Sequence, residues 1–150
     1  MDVKGKVLVD APLTEVWEAL NNSEVLKAAT PGCKSLEEIE TDHYKAEIVL
    51  GIAAVRGEYE ADIHTLEKEA PEQYRLIMNA DSPAGFIEGD AIVSLEDTDG
   101  KTNINYEGTA KVGGLIAGVG QRILSGISKK MVKDFFKKIA TEVKSEQEAK

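Results

Sequence analysis

Hydrophobic and polar residues alternate at the start of the chain. Val3, Gly5, Val7 and Val9 alternate with positions that include Asp2, Lys4, Lys6 and Asp10, which is the two-residue period of a strand with one buried face. Pro12 then ends the strand, and apolar residues at helical spacing predict a short helix to residue 20. A second short helix is predicted from Ser23, taken as its N-cap, to about residue 29.

The stretch that follows has the pattern of strands joined by short turns. Six strands are predicted, at residues 34–40, 44–50, 55–68, 73–80, 86–95 and 102–112. After them, Gly113, Gly114, Gly118 and Gly120 precede a helical pattern that runs to about residue 143. Glycine weakens helix formation by roughly 1 kcal/mol per residue, so this segment is expected to act as a hinge or gate, or to allow close backbone packing.

The last helix has a broad apolar face that needs a broad partner. Ile123, Ile127, Met131 and Phe135 recur every four residues, and the preceding strands are ordered as hairpins. The sequence therefore predicts one α+β domain over residues 1–150. In it, a curved antiparallel sheet wraps around a long C-terminal α-helix, with two short helices between strands 1 and 2.

The concave face of this sheet is predicted to mix large and small side chains. Small residues there leave space that the helix must fill or that a ligand occupies, because empty volume in a core costs stability. Ordinary core packing, with Gly108 only allowing the sheet to bend, is the alternative. The candidate ligand-binding residues are Tyr44, Ile48, Leu50, Val55, Tyr59, Ile63, Leu76, Met78, Phe86, Ile104, Tyr106, Gly108, Ala110, Ile123, Ile127, Met131 and Phe135.

The overall charge argues against some classes of partner. The chain has 18 Lys and Arg against 27 Asp and Glu, a net charge of −9, so general affinity for nucleic acid is not expected. The start of the sequence lacks the apolar core of a signal peptide, and Cys33 has no second cysteine with which to pair. No apolar run is long enough for a transmembrane segment. We expect a cytoplasmic protein.

The last helix carries a local excess of positive charge. Residues 121–144 contain seven cations and two carboxylates, a local charge of +5. Lys129, Lys130, Lys133 and Lys137 lie on the arc opposite the apolar face, and we call these four residues the cationic face. They predict a contact with an acidic partner or with lipid headgroups, which would place the protein peripherally on the inner face of the membrane. An ordinary solvated surface is the alternative.

Residues with catalytic potential form no recognised motif. His43 is expected in a turn and His64 on the outward side of a strand, and neither has the spacing of a metal site. Cys33 is expected to be a small buried hydrophobe. The glycines before the last helix are not followed by the Lys-Ser/Thr of a phosphate-binding loop. The sequence predicts no catalytic residue, no metal and no cofactor.

Several segments resemble one known family. They include Ala11-Pro-Leu-Thr-Glu-Val-Trp17, Pro31-Gly-Cys33, Val55-Arg-Gly57, Gly108-Thr-Ala-Lys-Val-Gly113-Gly114 and Gly118-Val-Gly120-Gln-Arg122. In this order they resemble the CoxG-like group of carbon monoxide dehydrogenase subunits, within the START/SRPBCC helix-grip superfamily. The resemblance implies a non-enzymatic accessory protein that works with a molybdenum hydroxylase of the carbon monoxide dehydrogenase type, in membrane recruitment or in delivery of a lipophilic redox partner.

Three functional hypotheses follow. The first is a protein that binds a hydrophobic small molecule, for example a quinone or another isoprenoid, between sheet and helix. The second is a scaffold or assembly subunit whose cavity is vestigial. The third is a cyclase- or hydrolase-like enzyme on the same fold, for which the sequence offers no acid-base pair.

Overall fold

Seven antiparallel strands form one sheet in a computed structural model that describes residues 1–149, without the side chains of Ala53 and of residues 145–149. Their order across the sheet is β1-β7-β6-β5-β4-β3-β2, so β2 to β7 pair as consecutive hairpins and β1 pairs with β7. The strands are β1 (Asp2–Val9), β2 (Cys33–Glu40), β3 (His43–Leu50), β4 (Gly57–Glu69), β5 (Gln73–Ser82), β6 (Gly85–Thr98) and β7 (Lys101–Gly113).

Three helices complete the fold. The short helices α1 (Leu13–Leu20) and α2 (Ser23–Ala29) lie between β1 and β2, and the long helix α3 (Gln121–Ala149) follows the last strand. The predicted α+β architecture, with a sheet around a C-terminal helix, is confirmed. None of the described helices is long and apolar enough to cross a membrane.

Two local predictions were wrong. The N-cap of α2 is Asn22 and not Ser23, because the Asn22 side chain accepts hydrogen bonds from the backbone N–H groups of Glu24 and Val25. Val55 lies in a 3-10 turn at Ala53–Val55 and not in a strand, so β4 begins at Gly57. The buried Tyr59 hydroxyl donates a hydrogen bond of 2.7 Å to the Val55 carbonyl, and this hydrogen bond holds the turn against β4.

The glycine-rich segment forms a second 3-10 turn, at Leu115–Val119. Gly114 and Gly120 flank this turn with φ angles of 79° and 103°, in the region where side chains are disfavoured. The turn also anchors itself on the core, since Ile116 is buried and its N–H donates to the Ala84 carbonyl at 3.0 Å. The segment therefore redirects the chain from the sheet into α3.

The hydrophobic core consists of two clusters. The first lies where α1, α2 and the C-terminal half of α3 meet the sheet, and it includes Val16, Leu20, Tyr74, Ile104 and Ile139. The second lies where the start of α3 and the second 3-10 turn meet β2–β4, and it includes Tyr44, Ile48, Tyr59, Ile116 and Leu124. The two clusters together cover the apolar face of α3 from Leu124 to Val143.

Candidate functional site

The concave face of the sheet remains incompletely covered between the two clusters. Met78 in β5 packs against neither cluster among the described residues, although register places it between Ile63 of β4 and Gly89 of β6 on the inward side. Ile63, Met78 and Ala91 are half-buried, whereas a solidly packed sheet centre would hide them. Space therefore remains between the centre of the sheet and α3.

The surroundings of Gly89 indicate how closely this part of the sheet is packed. A Cβ atom built at Gly89 would meet only Met78 atoms, at 3.9 Å or more. No atom of α3 therefore lies within 4 Å of that position. A methyl group therefore fits at Gly89 without a collision.

The candidate ligand-binding residues divide by burial. Five of them are buried in the second cluster and Ile104 is buried in the first, so neighbouring side chains already occupy much of their contact surface. Those five are Tyr44, Ile48, Leu50, Val55 and Tyr59. The half-buried candidates are Ile63, Leu76, Met78, Tyr106, Gly108, Ala110, Ile127, Met131 and Phe135.

The structure places two candidates away from this space. Register pairs Phe86 with Asp81 and Gly113, so strand alternation puts Phe86 on the convex face, where its ring covers Gly113. Ile123, in the first turn of α3, is 53% exposed. The choice of Phe86 was wrong because a one-residue error in strand phase reverses the direction of every side chain.

Gly108 lies where the backbone of the neighbouring strand approaches closely. A Cβ atom there would lie 2.2 Å from the Asp90 carbonyl oxygen and 2.6 Å from the Ala91 Cβ. Gly108 therefore allows β6 and β7 to approach closely and does not leave space for a ligand.

Sequence reasoning missed Gly89 and Ala91, which lie on the concave side of β6. A signal for them was present, because Glu88 and Asp90 alternate with them and mark the outward side. The apolar residues Ile87 and Ile92 flank this stretch and lie on opposite faces of the sheet. The sequence therefore did not show which residues of β6 point inward.

The concave face also carries polar groups. Thr65 is 5% exposed, lies opposite Leu76, and its hydroxyl has no hydrogen-bond partner within the described part of the chain. Burial raises the pKa of Tyr44 to about 12, with the charges of Glu38 and Asp42 adding to the shift, so its phenol stays protonated at neutral pH. The site is thus apolar with neutral hydroxyl groups.

Exposed apolar side chains surround the end at which α3 begins. Ile52 precedes the first 3-10 turn, Leu115 opens the second, and Ile123 lies in the first turn of α3. Their exposed fractions are 38%, 80% and 53%. The second 3-10 turn contacts both the first turn and α3, so these residues lie on adjoining elements. We call Ile52, Leu115 and Ile123 the apolar rim.

The cationic face points into solvent. Lys129, Lys130, Lys133 and Lys137 are exposed, and Lys130 forms an ion pair with Asp134 at 2.7 Å. Lys137 also borders an open groove of about 870 Å³ between α2 and α3, together with Lys27, Lys138 and Asp134. A second groove, of about 630 Å³, lies on the sheet near Arg56 and Glu58. Both grooves are open to solvent and have charged walls.

Solved structures share this architecture along almost the whole chain. A conserved protein from Geobacillus kaustophilus is 37% identical with a TM-score of 0.94, covering 97% of this chain and 96% of its own. A START superfamily protein from Mycobacterium smegmatis is 9% identical with a TM-score of 0.75, covering 96% and 97%. A protein from Arthrobacter aurescens is 13% identical with a TM-score of 0.72, covering 96% and 86%. The last two show the fold alone.

The helix-grip fold and the resemblance noted in the sequence are confirmed together. Among curated proteins no significant match was found. The model of the family described as the CoxG subunit of carbon monoxide dehydrogenase matches residues 5–144. The chain therefore belongs to the CoxG family.

Proposed function

We propose that this protein is a non-enzymatic carrier of a hydrophobic small molecule, held between the centre of the sheet and α3. The observation that carries the proposal is the half-buried concave surface around Met78 and Gly89, between two separate buried clusters. Apolar surface left in contact with water is unfavourable by about 25 cal/mol per Å², so an apolar ligand that covers it gains free energy.

The side chains around this space suit an extended apolar ligand. Met78 and Met131 are flexible and polarizable, and Phe135 offers a flat ring that makes an edge contact with Phe136 at 5.1 Å. Thr65 adds an unpaired buried hydroxyl on the same face. A carbonyl or hydroxyl on an otherwise apolar molecule would satisfy this group. A quinone or another isoprenoid has this combination.

Ligand entry is proposed at the apolar rim. Leu115 is 80% exposed on the turn between Gly114 and Gly120. Arg56 and Arg122 are also exposed and lie near Ile52 and Ile123 in the sequence. Apolar side chains beside cations suit peripheral contact with an anionic bilayer, where the ligand would dissolve. The cationic face would support such contact on the cytoplasmic side.

The proposal is tested by filling the space. Gly89→Leu adds a side chain where a Cβ meets nothing closer than 3.9 Å, so the variant is expected to fold. The matched control is Asn79→Leu, which adds leucine to an exposed position of the neighbouring strand β5. Native mass spectrometry and solvent extraction of the purified proteins would measure retained lipid, and fluorescence titration with ubiquinone-1 would measure binding.

We expect the native chain and Asn79→Leu to bind ubiquinone-1 alike and Gly89→Leu to bind at least about 10-fold more weakly, as expected when a ligand is displaced from a filled cavity. A native chain that retains no lipid and binds neither ubiquinone-1 nor decanoic acid would contradict the proposal. Equal binding by Gly89→Leu would place the ligand elsewhere.

A second candidate is a scaffold subunit with a vestigial cavity. It is favoured by the name of the family, which describes a subunit of carbon monoxide dehydrogenase. A molybdenum hydroxylase of that type is the proposed partner under both functions. Under the scaffold function, Gly89→Leu should support the partner's activity in cells as well as the native chain does. Loss of that support with partner binding intact, measured by pull-down, would favour the carrier.

A further inference from the structure

Both histidines of the chain meet on the convex face of the sheet. His43 is the first residue of β3 and pairs in register with His64 of β4, so their side chains lie on the same face. The two imidazole rings stack with centroids 3.9 Å apart and planes inclined by 18°. His43 lies 19 residues from Asp62 in the sequence, which is why no spacing motif revealed this group.

Asp62 joins the two rings. It lies two residues before His64 on β4, and its Oδ1 contacts His43 Nε2 directly and lies 3.6 Å from His64 Nε2. Lys45 is the cross-strand partner of Asp62, yet the carboxylate lies against the two histidines. One carboxylate oxygen and two imidazole nitrogens thus converge within 4.8 Å.

We propose that His43, Asp62 and His64 form a site for a first-row divalent transition metal, with Zn²⁺ as the reference ion. Imidazole and carboxylate are ligands that such ions share, and calcium and magnesium prefer oxygen alone. In a tetrahedral site with bonds of about 2.1 Å, two donor atoms lie roughly 3.4 Å apart. The 3.6 Å between Asp62 Oδ1 and His64 Nε2 fits this geometry.

The ion enters where His43 and Asp62 now share a hydrogen bond. An imidazole nitrogen binds a metal in the plane of its ring, so the His43 ring rotates out of its stack on His64 when the two share an ion. This ring is attached at the end of a strand next to a turn, where such a rotation is least hindered. The side chains are 19%, 43% and 38% exposed for His43, Asp62 and His64, so solvent reaches the open coordination position. The site is on the side of the sheet opposite α3 and is independent of the proposed hydrophobic ligand.

The test uses the tag-free full chain and Zn²⁺ alone. Because the chain has two histidines and both lie in the site, two-dimensional NMR of the imidazole nitrogens reports on this site and on no other. We expect one equivalent of Zn²⁺ to shift the Nε2 resonances of both rings. Isothermal titration should show a single saturable site, and Co²⁺ should give the visible absorption of a four- or five-coordinate ion.

Variants separate this site from others. Asp62→Asn and His64→Gln should each weaken Zn²⁺ binding by at least about 10-fold, since each removes a ligand. Asp90→Asn, which removes a convex-face carboxylate paired with Arg75, and Cys33→Ser should bind as the native chain does. Histidine resonances that do not move at a tenfold excess of Zn²⁺, or binding that survives His64→Gln, would overturn the proposal and leave a hydrogen-bonded cluster.

Discussion

The phenol ring of Tyr106 lies directly over the backbone of Gly5. The two residues are cross-strand partners in β7 and β1, and a Cβ atom at Gly5 would lie 2.4 Å from Tyr106 Oη and 2.7 Å from its Cζ. Tyr106 also stacks on Phe136 of α3, with ring centroids 5.3 Å apart. The absent side chain in β1 therefore lets the aromatic ring connect the sheet to the helix.

Gly5→Ala is expected to destabilise the protein by about 1–3 kcal/mol, the usual cost of overpacking a tight contact. The Tyr106 ring cannot move aside without losing its stacking on Phe136. Urea denaturation would measure the change. The control is Gly126→Ala in α3, where a Cβ meets nothing within 4 Å and helix propensity should raise stability by about 0.5–1 kcal/mol. Effects of the same sign would contradict this account of Gly5.

Two buried threonines offer a matched comparison. Thr65 has an unpaired hydroxyl, whereas the Thr102 hydroxyl donates to the Ala11 carbonyl at 2.8 Å. Thr65→Val should leave stability unchanged or raise it by up to about 1 kcal/mol, and Thr102→Val should lower it by about 1–2 kcal/mol because the Ala11 carbonyl loses its partner. Thermal unfolding of the ligand-free proteins would check this, and a destabilised Thr65→Val would show that its hydroxyl has a partner.

The ion pair on the convex face predicts a pH dependence. Hydrogen bonds from the Arg75 Nε and Nη2 atoms, at 2.9 Å and 2.6 Å, hold the pKa of Asp90 below its ordinary value. A lowered pKa contributes stability that is present above about pH 4, the ordinary range for Asp, and is lost as pH falls through the folded value. Urea midpoints of the native chain and Asp90→Asn should differ above pH 5 and converge below pH 4. A difference that is constant down to pH 2 would contradict the assignment.

The cationic face predicts salt-sensitive association. Changing Lys129, Lys130, Lys133 and Lys137 to Gln should reduce flotation with phosphatidylserine vesicles several-fold at low salt, since each cation near a membrane contributes about 1 kcal/mol. Stability should change little, because the ion pair that these lysines form among the described residues, between Lys130 and Asp134, is exposed.

A second variant tests whether any loss of four positive charges has the same effect. It changes four exposed lysines of β1 and β7 to Gln. This variant has the same net charge but keeps the cationic face. It should bind vesicles as the native chain does. Equal losses in the two variants would indicate a general charge effect and a solvated α3 surface. The four control residues are Lys4, Lys6, Lys101 and Lys111.

Much of the fold was predictable from periodicity, because burial on one face requires a regular repeat of apolar residues. The two-residue repeat of β1 and the four-residue repeat of α3 therefore located the strands and the helix. The sequence did not determine which residues of a strand point inward where both faces carry apolar residues. Around Phe86 this led to the wrong face of β6. A helix N-cap depends on individual hydrogen bonds from one side chain, which periodicity does not reveal. The N-cap Asn22 was therefore missed.

The candidate sites required knowledge of contacts across strands. Sequence showed that Gly89 and Gly108 are both glycines, but only the distances to neighbouring atoms show that a Cβ atom is tolerated at Gly89 and collides at Gly108. His43 and His64 are far apart in the sequence, and the register of β3 and β4 brings them together with Asp62. Local pattern predicts which way a side chain points, whereas the pairing of distant strands determines which side chains meet, and that is where the chemistry of this protein lies.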